Sequence, residues 1–220
     1  MAVIVRIFHG IAERTSTGPR PASFNTLCNL PARQFLPQNA MEADWEIEIG
    51  GDAPVIDADW PEFVDLLRSP ARVSEIAEAR LQPGLAEALV RLNAAASPVR
   101  TCKTDVFVPE RVDPDELDAP HETANYAVAC YIDLLMRSDQ VWNIPPEAER
   151  ACKQLCTRLR AIPLGRCRVD LVIRRAIVAG ANDLGVTAYL TACGQTLADA
   201  KTRLHECLSA FVDAVALRAS

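Results

Sequence analysis

The stretch GRCRVDLVIRRA, Gly165 to Ala176, alternates apolar and charged side chains and therefore predicts a β-strand with two different faces. The apolar residues occupy every second position: Cys167, Val169, Leu171 and Ile173. Arg168, Asp170 and Arg174 occupy positions between them, which project from the opposite side of a strand. One face of this strand is expected to cover a hydrophobic core, and the other to add a polar row to the second face of a sheet.

The segments around this strand give the carboxyl-terminal half the order ββαββα. Strands are predicted at residues 101–108, 126–135, 166–175 and 184–194, and helices at 147–162 and from 196 onward. The segment 126–135 is also compatible with a helix, but its apolar residues at period two favour a strand. The order predicts an α+β fold with a mostly antiparallel sheet, similar in pattern to ferredoxin-like domains. That architecture hosts many functions and so implies none of them.

The amino-terminal half, residues 1–98, is expected to add strands and helices to the carboxyl-terminal half, residues 99–220. Strands are predicted at 2–9 and 45–49, and three short helices within 60–96. Residues 15–40 have no periodic pattern but carry several large apolar side chains, so they form either a packed or a flexible arm. A chain of 220 residues is long enough for the two halves to form one interlocked globular unit.

The composition is typical of a soluble cytoplasmic protein with reduced thiols. Half of the residues are apolar, and eight cysteines occur without a recognisable secretion signal. No uncharged run approaches the roughly 20 apolar residues that a membrane helix needs. The net charge of −6 makes the protein acidic and argues against nucleic acid as its main partner, because such binding rests on many contacts from Lys and Arg to phosphate.

Acidic and basic residues are concentrated in different parts of the chain. Nine acidic residues and no basic residue lie between Arg33 and Arg68. Residues 147–176, in contrast, contain eight basic and three acidic residues. Two such regions can neutralise each other within one chain or across a dimer interface. The helix at 147–162 presents basic residues, but no aromatic residue is interleaved with them for stacking on bases.

Motifs for phosphate, dinucleotide or metal binding are absent from the sequence. The segment GANDLGVT resembles a phosphate-binding loop but has Val186 where the lysine is required. The three histidines are not paired at any spacing that favours a metal site, so neither a cofactor nor a metal is predicted. Cys102 next to Lys103 leaves open a reactive thiol, because a neighbouring cation lowers a thiol pKa.

Alternation along the strands places together one group of side chains that could carry chemistry. If the apolar sides of the four carboxyl-terminal strands share one face, the opposite face carries these residues: Lys103, Asp105, Phe107, Ala129, Tyr131, Asp133, Leu135, Arg168, Asp170, Val172, Arg174, Thr187, Tyr189 and Thr191. One interpretation is a set of cross-strand ion pairs and hydrogen bonds that stabilises the fold. The other is a cleft in which three carboxylates hold a divalent cation or act as acid and base.

The sequence is compatible with two functions. The first is a binding or assembly protein without catalysis, which works with a protein partner or by self-association, for example as a homodimer. The alternative is an enzyme that acts on a small anionic metabolite at the polar sheet face, with or without a divalent metal. Its candidate catalytic residues are Asp105, Asp133 and Asp170. Its candidate ligand-binding residues are Lys103, Tyr131, Arg168, Arg174 and Tyr189.

Overall fold

Alternating sequence patterns build a six-stranded sheet in the computed structural model of the chain. The structure describes residues 40–58, 64–109, 113–117, 119–137 and 144–217, which belong to one compact unit, Leu36–Ser220. The strand predicted at 2–9 lies outside the described residues, as does the arm at 15–40 except for Ala40. No helix in these described ranges is long and apolar enough to cross a membrane.

The long strands and helices occur close to the predicted segments, whereas the two-residue strand Ile56–Asp57 was not predicted. The strands are Glu42–Glu48 (β1), Ile56–Asp57 (β2), Val99–Phe107 (β3), Tyr126–Met136 (β4), Cys167–Val178 (β5) and Ala181–Gly194 (β6). The α-helices are Ala77–Leu81 (α1), Leu85–Leu92 (α2), Pro145–Arg160 (α3) and Leu197–Ala216 (α4). Short 3-10 helices lie at Pro70–Glu75, Asp115–Leu117 and His121–Thr123. The ambiguous segment 126–135 is therefore a strand.

The sheet has the order β1-β5-β6-β4-β3, and β2 also pairs with β5. β3, β4, β6 and β5 are antiparallel to their neighbours, whereas β1 and β2 run parallel to β5. These observations confirm an α+β fold with a mostly antiparallel sheet. The finer ferredoxin-like ordering stays a prediction.

The main core lies between the sheet and its helices. On β5 the alternating apolar residues Cys167, Val169, Leu171 and Ile173 are fully buried, as their period predicts. α3 packs on β1 and β5, and α4 packs on β6 and β4, where Leu204, Leu208 and Phe211 are buried against the sheet. Thr196 caps α4 by accepting a hydrogen bond from the Asp199 N–H, which ends the preceding strand and starts the helix.

The second face of the sheet is partly covered by β2 at one end. The Ile56 side chain lies so close to Gly185 that a Cβ at that position would be 2.7 Å from its Cδ1, so a larger residue there would displace Ile56. The Cys102 thiol of β3 donates to the Asp57 carbonyl oxygen at 3.1 Å, although β2 pairs with β5 near the opposite edge. The sheet is therefore curled at this end, and the middle of its second face is concave.

Candidate functional site

The strand register brings the predicted site residues onto this second face, called the polar face below. One row across the strands contains Asp105, Tyr131, Tyr189 and Asp170. The next row contains Asp133, Thr187 and Val172. A β-bulge between Thr101 and Thr104 places Cys102 and Lys103 together opposite Asp133. The strand register therefore agrees with the alternation that predicts these residues on one face. Their distances and partners determine which chemistry they can carry out.

Arg168 and Asp170 form a closed pair on β5. The Arg168 Nε donates to both carboxylate oxygens of Asp170, at 2.9 and 2.8 Å, and its Nη1 donates to the Glu116 carbonyl oxygen at 3.3 Å. The hydrogen bond to Asp170 raises the pKa of the Arg168 guanidinium, because it stabilises the charged form. Arg168 and Asp170 thus bind each other.

Arg174 is the most enclosed cation of the polar face, with a side chain only 7% exposed. Its Nη2 and Nε donate to Glu48 Oε2 at 2.7 and 3.1 Å. Its Nη1 donates to Thr187 Oγ1 at 3.3 Å and to the Tyr189 hydroxyl at 3.2 Å, and the guanidinium carbon lies 5.7 Å from the centre of the Tyr189 ring. Burial of a charge requires such partners, and every nitrogen of this guanidinium has one.

Asp133 is buried, with 8% exposure, and accepts a hydrogen bond from Thr187 Oγ1 at 2.6 Å. Burial raises the pKa of its carboxyl group, and the Thr187 hydrogen bond and the charge of Arg174 oppose this shift only in part. Because Thr187 also accepts from Arg174, a continuous chain of hydrogen bonds crosses four strands from Asp133 through Thr187 and Arg174 to Glu48.

The three candidate aspartates do not meet, which corrects the expectation that they could share a divalent cation. β6 and β4 separate β5 from β3, so about three strand spacings, roughly 14 Å, lie between Asp170 and Asp105. Asp105 Oδ1 accepts from the Val106 N–H at 2.7 Å instead. The described part of the chain contains no group of three His, Cys, Asp or Glu residues that could hold a metal ion.

Burial also affects the two candidate tyrosines and the Cys102 thiol. The rings of Tyr131 and Tyr189 lie 6.0 Å apart, and burial raises the pKa of both hydroxyl groups. Burial and the nearby carboxylate of Asp133 raise the pKa of the Cys102 thiol to about 11, and Lys103 lowers it by less. The raised pKa does not favour a reactive thiol at Cys102, because desolvation outweighs the neighbouring cation.

The charge asymmetry of the sequence is partly neutralised within one chain. Arg160 of α3 lies 3.7 Å from Asp44 of β1, and Arg174 binds Glu48. Arg175 donates to the carbonyl oxygens of Gly50 and Gly51 at 3.2 and 3.4 Å. The basic segment thus contacts the acidic segment directly, because β1 lies beside β5.

A small cavity in the described residues lies away from the polar face, between α2 and α4. Its lining residues are Gly84, Glu87, Ala88, Arg91, His205 and Ser209. It has room for about one water molecule and is too small for a metabolite. Comparisons with family models, curated proteins and solved structures give no match for the chain.

Glu48 and Thr187 both hold Arg174, but neither is among the candidate residues predicted from the sequence. Thr187 was placed on the correct face but lacked a charge to single it out. The alternation in DWEIEI indicated a strand with acidic residues on one side, yet no local signal shows that this strand pairs with β5. The partner of Arg174 depends on that pairing.

Proposed function

We propose that the chain is a binding or assembly protein without catalytic activity, which works with a protein partner or with a second copy of itself. The observation that supports this proposal is the internal pairing of the polar face. Arg168 is bound to Asp170, and Arg174 is bound to Glu48, Thr187 and Tyr189. In this proposal the internal pairs of the polar face stabilise the curled sheet, and the partner binds without opening them.

Anion binding at the polar face would require one of these pairs to open. A small carboxylate or phosphate would have to displace Asp170 from Arg168 or Glu48 from Arg174, and the displaced carboxylate would then need other partners. Replacing two charge-assisted hydrogen bonds by two others gives little net affinity, since hydrogen bonds to charged groups contribute about 1.5–3 kcal/mol each. The paired geometry therefore favours a structural role over ligand capture.

Two finer features belong to the same proposal. A ferredoxin-like ordering is supported by the position of β6 between β4 and β5, the two strands that α3 connects. A cytoplasmic, reducing environment is supported by the seven described cysteines, all of which are free thiols and six of which are buried.

Sedimentation velocity over a wide concentration range, combined with recovery of partners from a native lysate, tests the proposal. We expect the purified chain to associate reversibly with itself or to co-sediment with one recovered protein at a fixed ratio. A strict monomer at all concentrations, with no stoichiometric partner, would contradict it.

Asp133 supports a second candidate, an enzyme that acts on a small anionic metabolite. Among the described residues its carboxyl group has no arginine within ion-pair distance, and burial raises its pKa, as in many general acids. Thermal-shift screening of small carboxylates, phosphate and divalent ions tests this candidate. It requires a ligand that stabilises the native protein but not Asp133→Asn, with Asp52→Asn as a matched control at an exposed acid in the turn between β1 and β2.

A further inference from the structure

β1 is the outermost strand of the sheet on the side of β5. It pairs with β5 along Glu42–Glu48, and in the described ranges no other strand pairs with its second edge. An unpaired strand edge presents N–H and C=O groups that can bond to an added strand. β1 therefore offers a backbone template that runs for seven residues.

The two sides of β1 differ sharply in chemistry. Every second residue is acidic and shares the polar face with Arg168, Asp170, Val172 and Arg174 of β5: Glu42, Asp44, Glu46 and Glu48. The residues between them face the helices, and this row ends in two isoleucines that stay exposed, Ile47 at 39% and Ile49 at 40%. A strand added at this edge would contact carboxylates on one side and aliphatic surface on the other.

The acidic row is only partly neutralised by the chain itself. Glu48 binds Arg174, and Asp44 lies 3.7 Å from Arg160. Within the part of the chain that the structure describes, Glu42 and Glu46 have no ion pair, and Glu46 is exposed. Pairing of β1 with the β1 of a second copy would set carboxylates beside carboxylates, which destabilises a sheet. The edge therefore selects a partner of opposite charge.

We propose that the β1 edge binds an extended segment of a partner protein in which basic and apolar residues alternate, by addition of a strand to the sheet. The backbone of β1 supplies the hydrogen bonds, its acidic row pairs with the Lys or Arg side chains, and Ile47 and Ile49 pack against the apolar ones. This inference rests on the proposed binding function and names the surface and the partner class.

A designed peptide tests the inference directly. The probe is a fluorescein-labelled peptide of the same length as β1 in which Lys and Val alternate, and the control peptide has the same composition with Lys and Val in separate blocks. We expect fluorescence anisotropy to show at least tenfold tighter binding of the alternating peptide. Glu46→Lys should weaken that binding at least tenfold, whereas Glu116→Lys, the same charge change at an exposed turn, should leave it within twofold.

Hydrogen exchange distinguishes strand addition from attraction between opposite charges. The bound alternating peptide should protect amides of Asp44–Glu48 and leave amides of α2 unchanged. Equal affinity for both peptides, equal loss in both variants, or no added protection in β1 would overturn the inference. If the peptide fails these criteria while sedimentation still shows association, the binding function stands and only the β1 edge is excluded.

Discussion

Removing Glu48 should destabilise the protein more than removing Arg174, although the two side chains form one ion pair. Glu48 is 44% exposed and can be hydrated when its partner is lost, whereas the Arg174 guanidinium is 7% exposed and cannot. Glu48→Ala leaves a buried cation held only by Thr187 and Tyr189, and should cost about 2 kcal/mol, within the range for hydrogen bonds between charged groups. Arg174→Met removes that cation and keeps an apolar stem, and should cost less than about 1 kcal/mol.

Urea unfolding of the two single variants and of Glu48→Ala/Arg174→Met measures these costs. The double variant should be no less stable than Glu48→Ala alone, because no buried charge remains to be compensated. Glu206→Ala, which removes the exposed partner of Arg203, is the matched control and should change stability by less than about 1 kcal/mol. A larger loss for Arg174→Met than for Glu48→Ala, or additive losses in the double variant, would refute this account of the pair.

Three other properties follow from the described geometry. Burial raises the pKa of Asp133 in the folded state, so its contribution to stability is present below the unfolded pKa and is lost as the pH rises through the folded pKa. Asp133→Asn should therefore gain stability relative to the native protein as the pH rises above the unfolded pKa, as measured by urea unfolding at each pH. Gly84→Ala should lower the melting temperature more than Gly180→Ala, because both glycines have positive φ but a Cβ at position 84 would lie 2.8 Å from the His205 ring, whereas position 180 has open space. Alkylation of Cys102 by iodoacetamide, followed by mass spectrometry, should be slow at neutral pH and should accelerate toward pH 11, and fast neutral labelling would contradict the raised thiol pKa.

Local patterns predicted β1, β3, β4, β5 and β6 and the faces of their side chains, but not the two-residue strand β2. The alternation in residues 126–135 and 166–175 reflects a property of single strands. Burial alternates along Cys167–Leu171 of β5, whereas most of β4 is buried on both faces. The bulge at Cys102 and Lys103 was not predictable, because its extra residue is specified only by the pairing of β3 with β4.

The partners on the polar face depend on strand order, which local periodicity does not encode. β6 lies between β4 and β5, so Asp133 binds Thr187 and stays apart from Asp170. β1 lies beside β5, so Arg174 is held by Glu48. Alternation along the strands places these residues on one face of the sheet. The order of the strands then divides them into separate pairs.

A crystal structure of the protein soaked in acetate and in phosphate tests the central claim most directly, namely that the charges of the polar face are satisfied within the chain. We expect Arg174 Nη2 to stay bound to Glu48 at about the present 2.7 Å, Arg168 to stay bound to Asp170, and neither anion to occupy the polar face. An anion bound to Arg174 or Arg168 with Glu48 or Asp170 displaced would contradict that claim and would favour a ligand site on the sheet.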